Sequence, residues 1–276
     1  MTSTLHYAAI VVGAGHAGVE ASLAIARSGF PVLVITMDTN AIARMSCNPA
    51  IGGLAKGHIV REIDALGGEM GLATDATGIQ FRMLNKSKGP AVWAPRAQAD
   101  KKQYELYMKR VLEAEKNITL RQGQVVELLV RDGICYGVRT KEEEVFFGEH
   151  VILTTGTFLQ GLIHVGEENF PGGRRGEAPA VGLSESLRAH GIELVRFKTG
   201  TPPRLRKESV RWDILEEQKG DEPPHPFSFR TKKFTVEQLS CYLTHTNEKV
   251  HDIIRRNLSR SPLPSVLTGD SVPRVF

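Results

Sequence analysis

The sequence predicts an α/β fold with a parallel sheet at its centre. Three observations carry this. Tyr7 to Val12 is a short apolar run rich in β-branched residues and reads as a buried strand. Gly13-Ala14-Gly15-His16-Ala17-Gly18 follows at once, and Val19 to Ser28 then reads as a helix of small residues stopped by Gly29. Pro31 to Thr36 is a second apolar run, so strand, glycine turn, helix and strand fall within about 30 residues, as a βαβ unit requires.

The remaining elements follow in order. Residues 37–57 read as a loop containing Met45-Ser46-Cys47-Asn48-Pro49-Ala50-Ile51-Gly52-Gly53, and a loop of that length in a compact domain is usually functional. A helix is expected over 58–66, a loop over 81–95, and an amphipathic helix over 97–113 with Tyr104, Tyr107, Met108, Val111 and Leu112 on one face. Strands are expected over 118–120, 124–130, 134–140, 145–147 and 150–154, with Arg131-Asp132-Gly133 as a hairpin turn. A short helix over 183–190 closes at Gly191, and 192–198 reads as a strand. Residues 201–226 are proline-rich, charged and expected to be irregular. The pattern over 246–258 predicts a helix carrying Val250, Ile253, Ile254 and Leu258 inward.

Composition narrows the classes. Of 276 residues, 41% are hydrophobic and 24% charged, enough apolar material for a core and too much for disorder. The apolar run Ala8 to Val12 is far shorter than the ~20 residues a membrane span needs, and it lacks the basic flank of a signal peptide. No membrane association is expected. Three cysteines cannot build a disulfide framework, and their odd number fits a reducing compartment such as the cytoplasm. No metal site is expected. A net charge of +4 permits a nucleic-acid partner without requiring one.

The glycine turn is the firmest site. In a turn of this kind Gly13 makes the bend, Gly15 lets backbone approach a pyrophosphate, and Gly18 lets helix and strand pack closely. The helix N-terminus then faces the anion. The acid that holds a ribose in such units is less distinct, with Thr36 at the expected strand end and Asp38 two residues beyond it. After the second strand come a helix, a meander of hairpin strands, and a strand ending in Thr154-Thr155-Gly156. That order resembles the two-dinucleotide-binding (glutathione-reductase-like) flavoproteins. The resemblance implies FAD rather than NAD at the glycine turn, with the Val125 backbone beside the adenine. Cys47 lies in a polar, glycine-flanked loop and is either a nucleophile activated by nearby positive charge or an inert packed thiol. Cys135 and Cys241 read as packing residues. Basic clusters fall at Arg82, Lys86, Lys88 and Arg96, at Arg174 and Arg175, and at Arg196, Lys198, Arg204, Arg206, Lys207 and Arg211. They fit either phosphates or a solvated surface.

Taken together, Gly-Ala-Gly-His-Ala-Gly (13–18), Met-Ser-Cys-Asn-Pro-Ala-Ile-Gly-Gly (45–53), Asp-Ala-Leu-Gly-Gly (64–68), Ser-Lys-Gly-Pro-Ala-Val (87–92), Arg-Ala-Gln-Ala-Asp (96–100), Lys-Thr-Gly-Thr-Pro-Pro-Arg (198–204) and Thr-His-Thr-Asn-Glu-Lys (244–249) resemble the GidA/MnmG family, the tRNA uridine 5-carboxymethylaminomethyl modification enzymes. The match runs along nearly the whole chain.

The resemblance implies an FAD-dependent enzyme that uses NADH as reductant, takes a one-carbon unit from a folate, and modifies C5 of the wobble uridine of certain tRNAs. It also implies an MnmE/TrmE-type GTPase partner and a cytoplasmic homodimer. Its cofactor positions fall on Gly13, Ala14, Gly15, His16, Ala17, Gly18, Val125 and Ala180. The family often has serine at the last, so only a backbone contact would survive at Ala180. Cys47 becomes the catalytic thiol, and Arg174, Arg175, Arg204 and Arg206 become candidate RNA contacts. The family's second cysteine lies in a Pro-Arg-Tyr-Cys-Pro segment, where this chain has Pro273-Arg274-Val275-Phe276. Family members are more than twice as long, so the expectation is an N-terminal part: an FAD domain over 1–200 with its meander near 118–148, then the start of an inserted, partly β NADH or substrate domain over 201–276. Two other readings stay open: a general FAD/NAD(P)H oxidoreductase for a small molecule, and a non-catalytic RNA-binding remnant.

Overall fold

The computed structural model describes residues 6–260. Strand β1 (His6–Val12) leads through the glycine turn into helix α1 (His16–Arg27) and strand β2 (Val32–Thr36). The chain then builds a small antiparallel layer, β3 (Ala50–Gly52), α2 (Lys56–Ala65), α3 (Met70–Thr77), β4 (Gly78–Leu84) and β5 (Ala94–Ala99), with strand order β3-β5-β4. It returns through α4 (Lys101–Ala114) to β6 (Ile118–Gln122) and the meander β7 (Val125–Arg131), β8 (Ile134–Thr140) and β9 (Val145–Leu153). The central sheet runs β6-β2-β1-β9-β8-β7. Its first four strands are parallel, and β8 and β7 add antiparallel. A hairpin of β10 (Leu162–Val165) and β11 (Glu168–Pro171), helix α5 (Leu183–Ala189), the pair β12 (Glu216–Gln218) and β13 (Cys241–Leu243), and helix α6 (Glu248–Asn257) complete the described chain.

Two apolar layers sandwich the sheet. On one side Val11, Val32 and Val34 pack with Val19 and Leu23 of α1 and Tyr104, Met108 and Leu112 of α4. On the other, Ile10, Leu33 and Ile35 pack with Leu128, Val138 and the α5 residues Leu183 and Leu187. Alternate residues of β1 and β2 therefore feed opposite cores, which is why both strands read as unbroken apolar runs. The hairpin between β7 and β8 turns at Asp132 (φ 53°) and Gly133 (φ 77°), the two positive-φ positions that a right-twisted two-residue turn needs.

Several expectations need correction. The loop expected over 81–95 is strand at both ends, with the turn confined to residues 85–93: Gln80, Phe81, Arg82 and Met83 pair with Gln98, Ala97, Arg96 and Pro95. Its side chains are too polar to give an apolar run. The helix expected from 97 begins at Lys101, because Asp100 caps it by accepting from the Lys102 and Gln103 amides at 2.8 and 3.0 Å. The separate strands at 145–147 and 150–154 are one strand, β9, whose start pairs with β8 and whose end runs along β1. Residues 192–198 form no strand. Helix α6 exists, but Val250, Ile253, Ile254 and Leu258 are exposed rather than inward, Ile253 by 58%.

The residues after 200 pack against the antiparallel layer. Asp75 accepts from the amides of Phe227 (2.6 Å) and Ser228 (3.0 Å) and from Thr231 Oγ1 (2.6 Å). Asp64, fully buried, accepts from Ser228 Oγ (2.6 Å), the Phe229 amide (2.8 Å) and Arg230 (3.1 Å). Met83 N–H donates to Asp221 at 2.6 Å, and Phe227 lies in the core. These bonds cross the boundary near residue 200 that the sequence suggests. The stretch Pro273 to Phe276 lies outside the described residues.

Candidate cofactor and thiol site

The carboxyl ends of β1, β2 and β9 meet at one edge of the sheet, where the chain leaves β1 toward β2 on one side and returns as β9 on the other. Ligands of open α/β sheets bind at such a switch point. Gly13 turns with φ 102° and its amide donates to the Ile35 carbonyl at 2.8 Å. A Cβ there would lie 2.6 Å from the Thr154 carbonyl oxygen, so only glycine fits. At Gly18 a Cβ would collide with the Gly13 carbonyl and come within 2.7 Å of Thr154 Oγ1. At Gly15 it would meet nothing within 4 Å. The third glycine therefore serves packing, and the second faces open space.

Gly15 caps α1 without a side-chain bond, and the first turn carries no acid. The amides that a helix start leaves unpaired thus face outward with their partial positive charge. That cradle fits a pyrophosphate. Thr154 closes it from behind, its hydroxyl within 3.0 and 2.9 Å of the Val12 and Gly13 carbonyls. His16 does not present its ring to this space. The ring lies edge-on to Tyr104 with centroids 5.6 Å apart, and its Nδ1 is buried without a partner. Burial lowers the His16 pKa, which keeps the ring neutral at pH 7. Ala14 is buried and its carbonyl accepts from the Ala43 amide at 2.8 Å, while Ala17 stays exposed on the first turn.

The other cofactor candidates lie along the same sheet edge or below it. Val125 is buried at the start of β7, next to Gly123 and Gln124. Those two, with Met37, Gln122 and Lys141, line a cleft of about 640 Å³. Thr36 ends β2 with its carbonyl accepting from Gly123, and Asp38 accepts from the Asn40 amide in a local turn. Ala180 bridges to Leu159 outside the named strands. Its N–H donates to the Phe158 carbonyl at 2.8 Å and its carbonyl accepts from Gln160 at 2.9 Å, so its amide is already committed within the fold.

The same glycine turn anchors the cysteine loop. The Ala43–Ala14 bond fixes its start, and the Ala99 amide donates to the Pro49 carbonyl at 2.6 Å beyond Cys47. Between them, Arg44 forks onto Glu105 of α4 with two 3.0 Å bonds and reaches Glu177 at 3.3 Å. Glu177 holds Arg174 at 2.9 Å, and Arg174 Nε donates to Ser46 Oγ at 3.1 Å. Burial would raise the Glu105 pKa, but the Arg44 hydrogen bond and charge outweigh it and hold the carboxyl below its ordinary range. Cys47 is half-buried and its thiol donates to the Gly200 carbonyl at 3.0 Å. Lys101 Nζ and Arg204 Nη2 both donate to the Cys47 carbonyl, at 2.6 and 2.5 Å.

Of the four candidate RNA contacts, Arg174 and Arg204 therefore converge on Ser46-Cys47, and Arg175 and Arg206 are exposed. Lys101 was not singled out from the sequence. Its signal was a lysine at the first position of a helix, where acids are favoured. The basic group at 82–96 is partly neutralised, Lys86 pairing with Asp221 at 2.9 Å. Cys135 is half-buried at the edge of the second core, and Cys241 donates to Gln80 Oε1 at 3.2 Å.

The family model described as glucose inhibited division protein A matches residues 8–274. The curated protein named tRNA uridine 5-carboxymethylaminomethyl modification enzyme MnmG from Geobacter sulfurreducens is 58% identical over 268 residues, covering 97% of this chain and 43% of that protein. Its counterpart from Pelobacter propionicus is 56% identical over 274 residues, covering 99% of this chain and 44% of that protein. The crystal structure of Aquifex aeolicus GidA superposes with a TM-score of 0.90 at 49% identity, over 94% of this chain and 44% of that one. The chain thus spans less than half the length of the relatives it matches. With a family model matched over residues 8–274 and relatives more than half identical along nearly all of it, the chain belongs to the GidA/MnmG family.

Proposed function

We propose that this chain is the flavin-binding and thiol-bearing part of an enzyme that modifies C5 of the wobble uridine of tRNA. The observation that carries the reading is the joint placement of Cys47. One hydrogen bond fixes its loop to the glycine turn, and Arg174 and Arg204 bond to Ser46 and Cys47 themselves. FAD is the dinucleotide proposed for Gly13 to Gly18, supported by family membership and by the uncapped, open helix start at Gly15. Family membership likewise supports NADH as reductant, a folate as one-carbon donor, an MnmE/TrmE-type GTPase partner, a homodimer and a cytoplasmic setting. Among the described residues no helix is long and apolar enough to cross a membrane.

The chain's own part in the chemistry begins at the thiol. C5 of uracil is a weak nucleophile. When the Cys47 thiol loses its proton, breaking its bond to the Gly200 carbonyl, the thiolate can add to C6. An S–C6 bond forms, and the C5–C6 π pair moves to make an enolate at O4. That enolate gives C5 the electron pair it needs to bond a one-carbon electrophile. Loss of the C5 proton and departure of the thiolate then restore the ring. Arg174 and Arg204 hold the loop and the polyanion, and FAD supplies redox chemistry for the one-carbon unit.

The test is Cys47→Ser in the natural full-length protein. A serine hydroxyl is scarcely ionised at neutral pH, so tRNA modification should fall by on the order of a hundredfold or more while flavin and tRNA binding persist. A covalent adduct with tRNA containing 5-fluorouridine should form with the wild type alone. Near-normal turnover by the serine variant would remove the nucleophile role. Flavin binding with no affinity for tRNA would point instead to an oxidoreductase of a small molecule.

A further inference from the structure

Beside Cys47 two positive side chains share one neutral acceptor. Lys101 Nζ and Arg204 Nη2 reach the same carbonyl oxygen at 2.6 and 2.5 Å, which puts the two charges within about 5 Å of each other. Among the described residues no carboxylate forms an ion pair with Lys101, and Arg204 and Arg174 both act on it. Lys101 is also the first residue of α4, where the helix dipole already places positive charge. Asp100 does not neutralise it, because that carboxylate is engaged with the Lys102 and Gln103 amides. Burial and Arg204 both push the Lys101 pKa down, as expected of a cation that lacks a counter-charge. A neutral donor would satisfy the Cys47 carbonyl without this repulsion. The charge itself therefore calls for an anion that the fold does not supply.

The three cations come from three segments: Lys101 from the start of α4, Arg174 from the turn after β11, and Arg204 from the irregular chain between α5 and β12. Guanidinium forks match phosphate oxygens, and the exposed Arg175 and Arg206 continue the positive surface outward, as a polyanion requires. Resting on the function proposed above, we propose that Lys101 and Arg204, with Arg174 beside them on Ser46 and still paired to Glu177 at 2.9 Å, bind a single phosphodiester group of the RNA, adjacent to the base that reaches Cys47. Lys101 is then an RNA-binding residue that fixes where the strand lies.

The experiment uses the natural full-length protein and an unmodified tRNA transcript, with affinity measured across a salt series. Lys101→Gln and Arg204→Gln remove the charge and leave a shorter polar side chain in its place. For one shared phosphate, the slope of log affinity against log salt should fall by no more than about 0.7–0.9 in the double variant, little beyond either single variant. Lys101→Arg should restore the wild-type slope, which a merely structural role for the lysine would not predict. FAD stoichiometry should stay unchanged in all variants. A slope equal to wild type in the double variant would overturn the inference while leaving the proposed function standing. A fall of about two phosphates would overturn the shared site in favour of separate contacts. Loss of FAD in place of tRNA would assign the anion to the flavin, and competition by a folate would assign it to a carboxylate; either result overturns the proposal. Failure of the wild type to bind tRNA would overturn both this inference and the function on which it rests.

Discussion

Replacing Gly15 and Gly18 by alanine, one at a time, should separate ligand binding from folding at the glycine turn. At Gly18 the new Cβ would overlap the Gly13 carbonyl oxygen and sit 2.9 Å from its carbon. Both atoms are backbone and cannot rotate away, so α1 would have to lift from β1. Overpacking of this kind costs about 1–3 kcal/mol, and a backbone obstacle puts Gly18→Ala at the upper end. At Gly15 the new Cβ meets nothing within 4 Å and φ is −72°, which alanine adopts freely. The lost chain entropy of glycine in the unfolded state favours alanine by about 0.4–1 kcal/mol. The weaker capping preference of alanine takes back a similar amount. Gly15→Ala should therefore stay within about 1 kcal/mol of wild type in urea unfolding without ligand. Its methyl group, however, would occupy the space through which a phosphate approaches the helix start. Losing one charge-assisted bond there is worth about 1.5–3 kcal/mol, a roughly ten- to hundredfold weaker affinity for FAD. Flavin titration of both variants in the natural full-length protein checks this. Wild-type FAD affinity in Gly15→Ala would refute the assignment of the open glycine to the pyrophosphate. Wild-type stability in Gly18→Ala would refute the packing role.

Arg44→Met should destabilise the chain by about 1–3 kcal/mol at neutral pH, because it leaves the nearly buried Glu105 carboxylate with only the exposed Lys102 at 3.3 Å. Glu105 has a lowered pKa, so the stability it contributes is present above the unfolded value near 4.3 and is lost as pH falls through the folded one. The gap between wild type and variant in urea unfolding should shrink accordingly below about pH 4, and a constant gap would mean the pair is not the cause. Asp75→Ala should leave the Phe227 and Ser228 amides without acceptors and cost about 2–4 kcal/mol locally. Hydrogen exchange of those two amides should speed up before the central sheet opens. Ile253→Glu should change stability by no more than about 0.5 kcal/mol, since the side chain is exposed, and a large loss would return the α6 face to the core.

Local pattern and tertiary contact divide the protein between them. The βαβ start was legible because its signals are local. Apolar runs marked β1 and β2, and Gly18 stands where any Cβ would strike the Gly13 backbone within the same unit. The meander was legible for the same reason, since Asp132 and Gly133 carry the turn themselves. The β4–β5 pair was not, because Gln80, Arg82, Arg96 and Gln98 give strand residues without an apolar run, and only pairing identifies them. The orientation of α6 failed similarly. Its spacing fixes one apolar face but not what covers that face, and nothing among the described residues does. Cys47 and the arginines were visible as candidates. That Arg174 and Arg204 meet at Cys47, that Arg175 and Arg206 do not, and that Lys101 joins them depends on contacts between residues 54 to 157 positions apart. Chemistry-bearing residue types and turn geometry were thus written in the sequence itself. Which of those residues share a point in space was decided only by the tertiary fold, because hydrogen bonds over such separations leave no periodic trace along the chain.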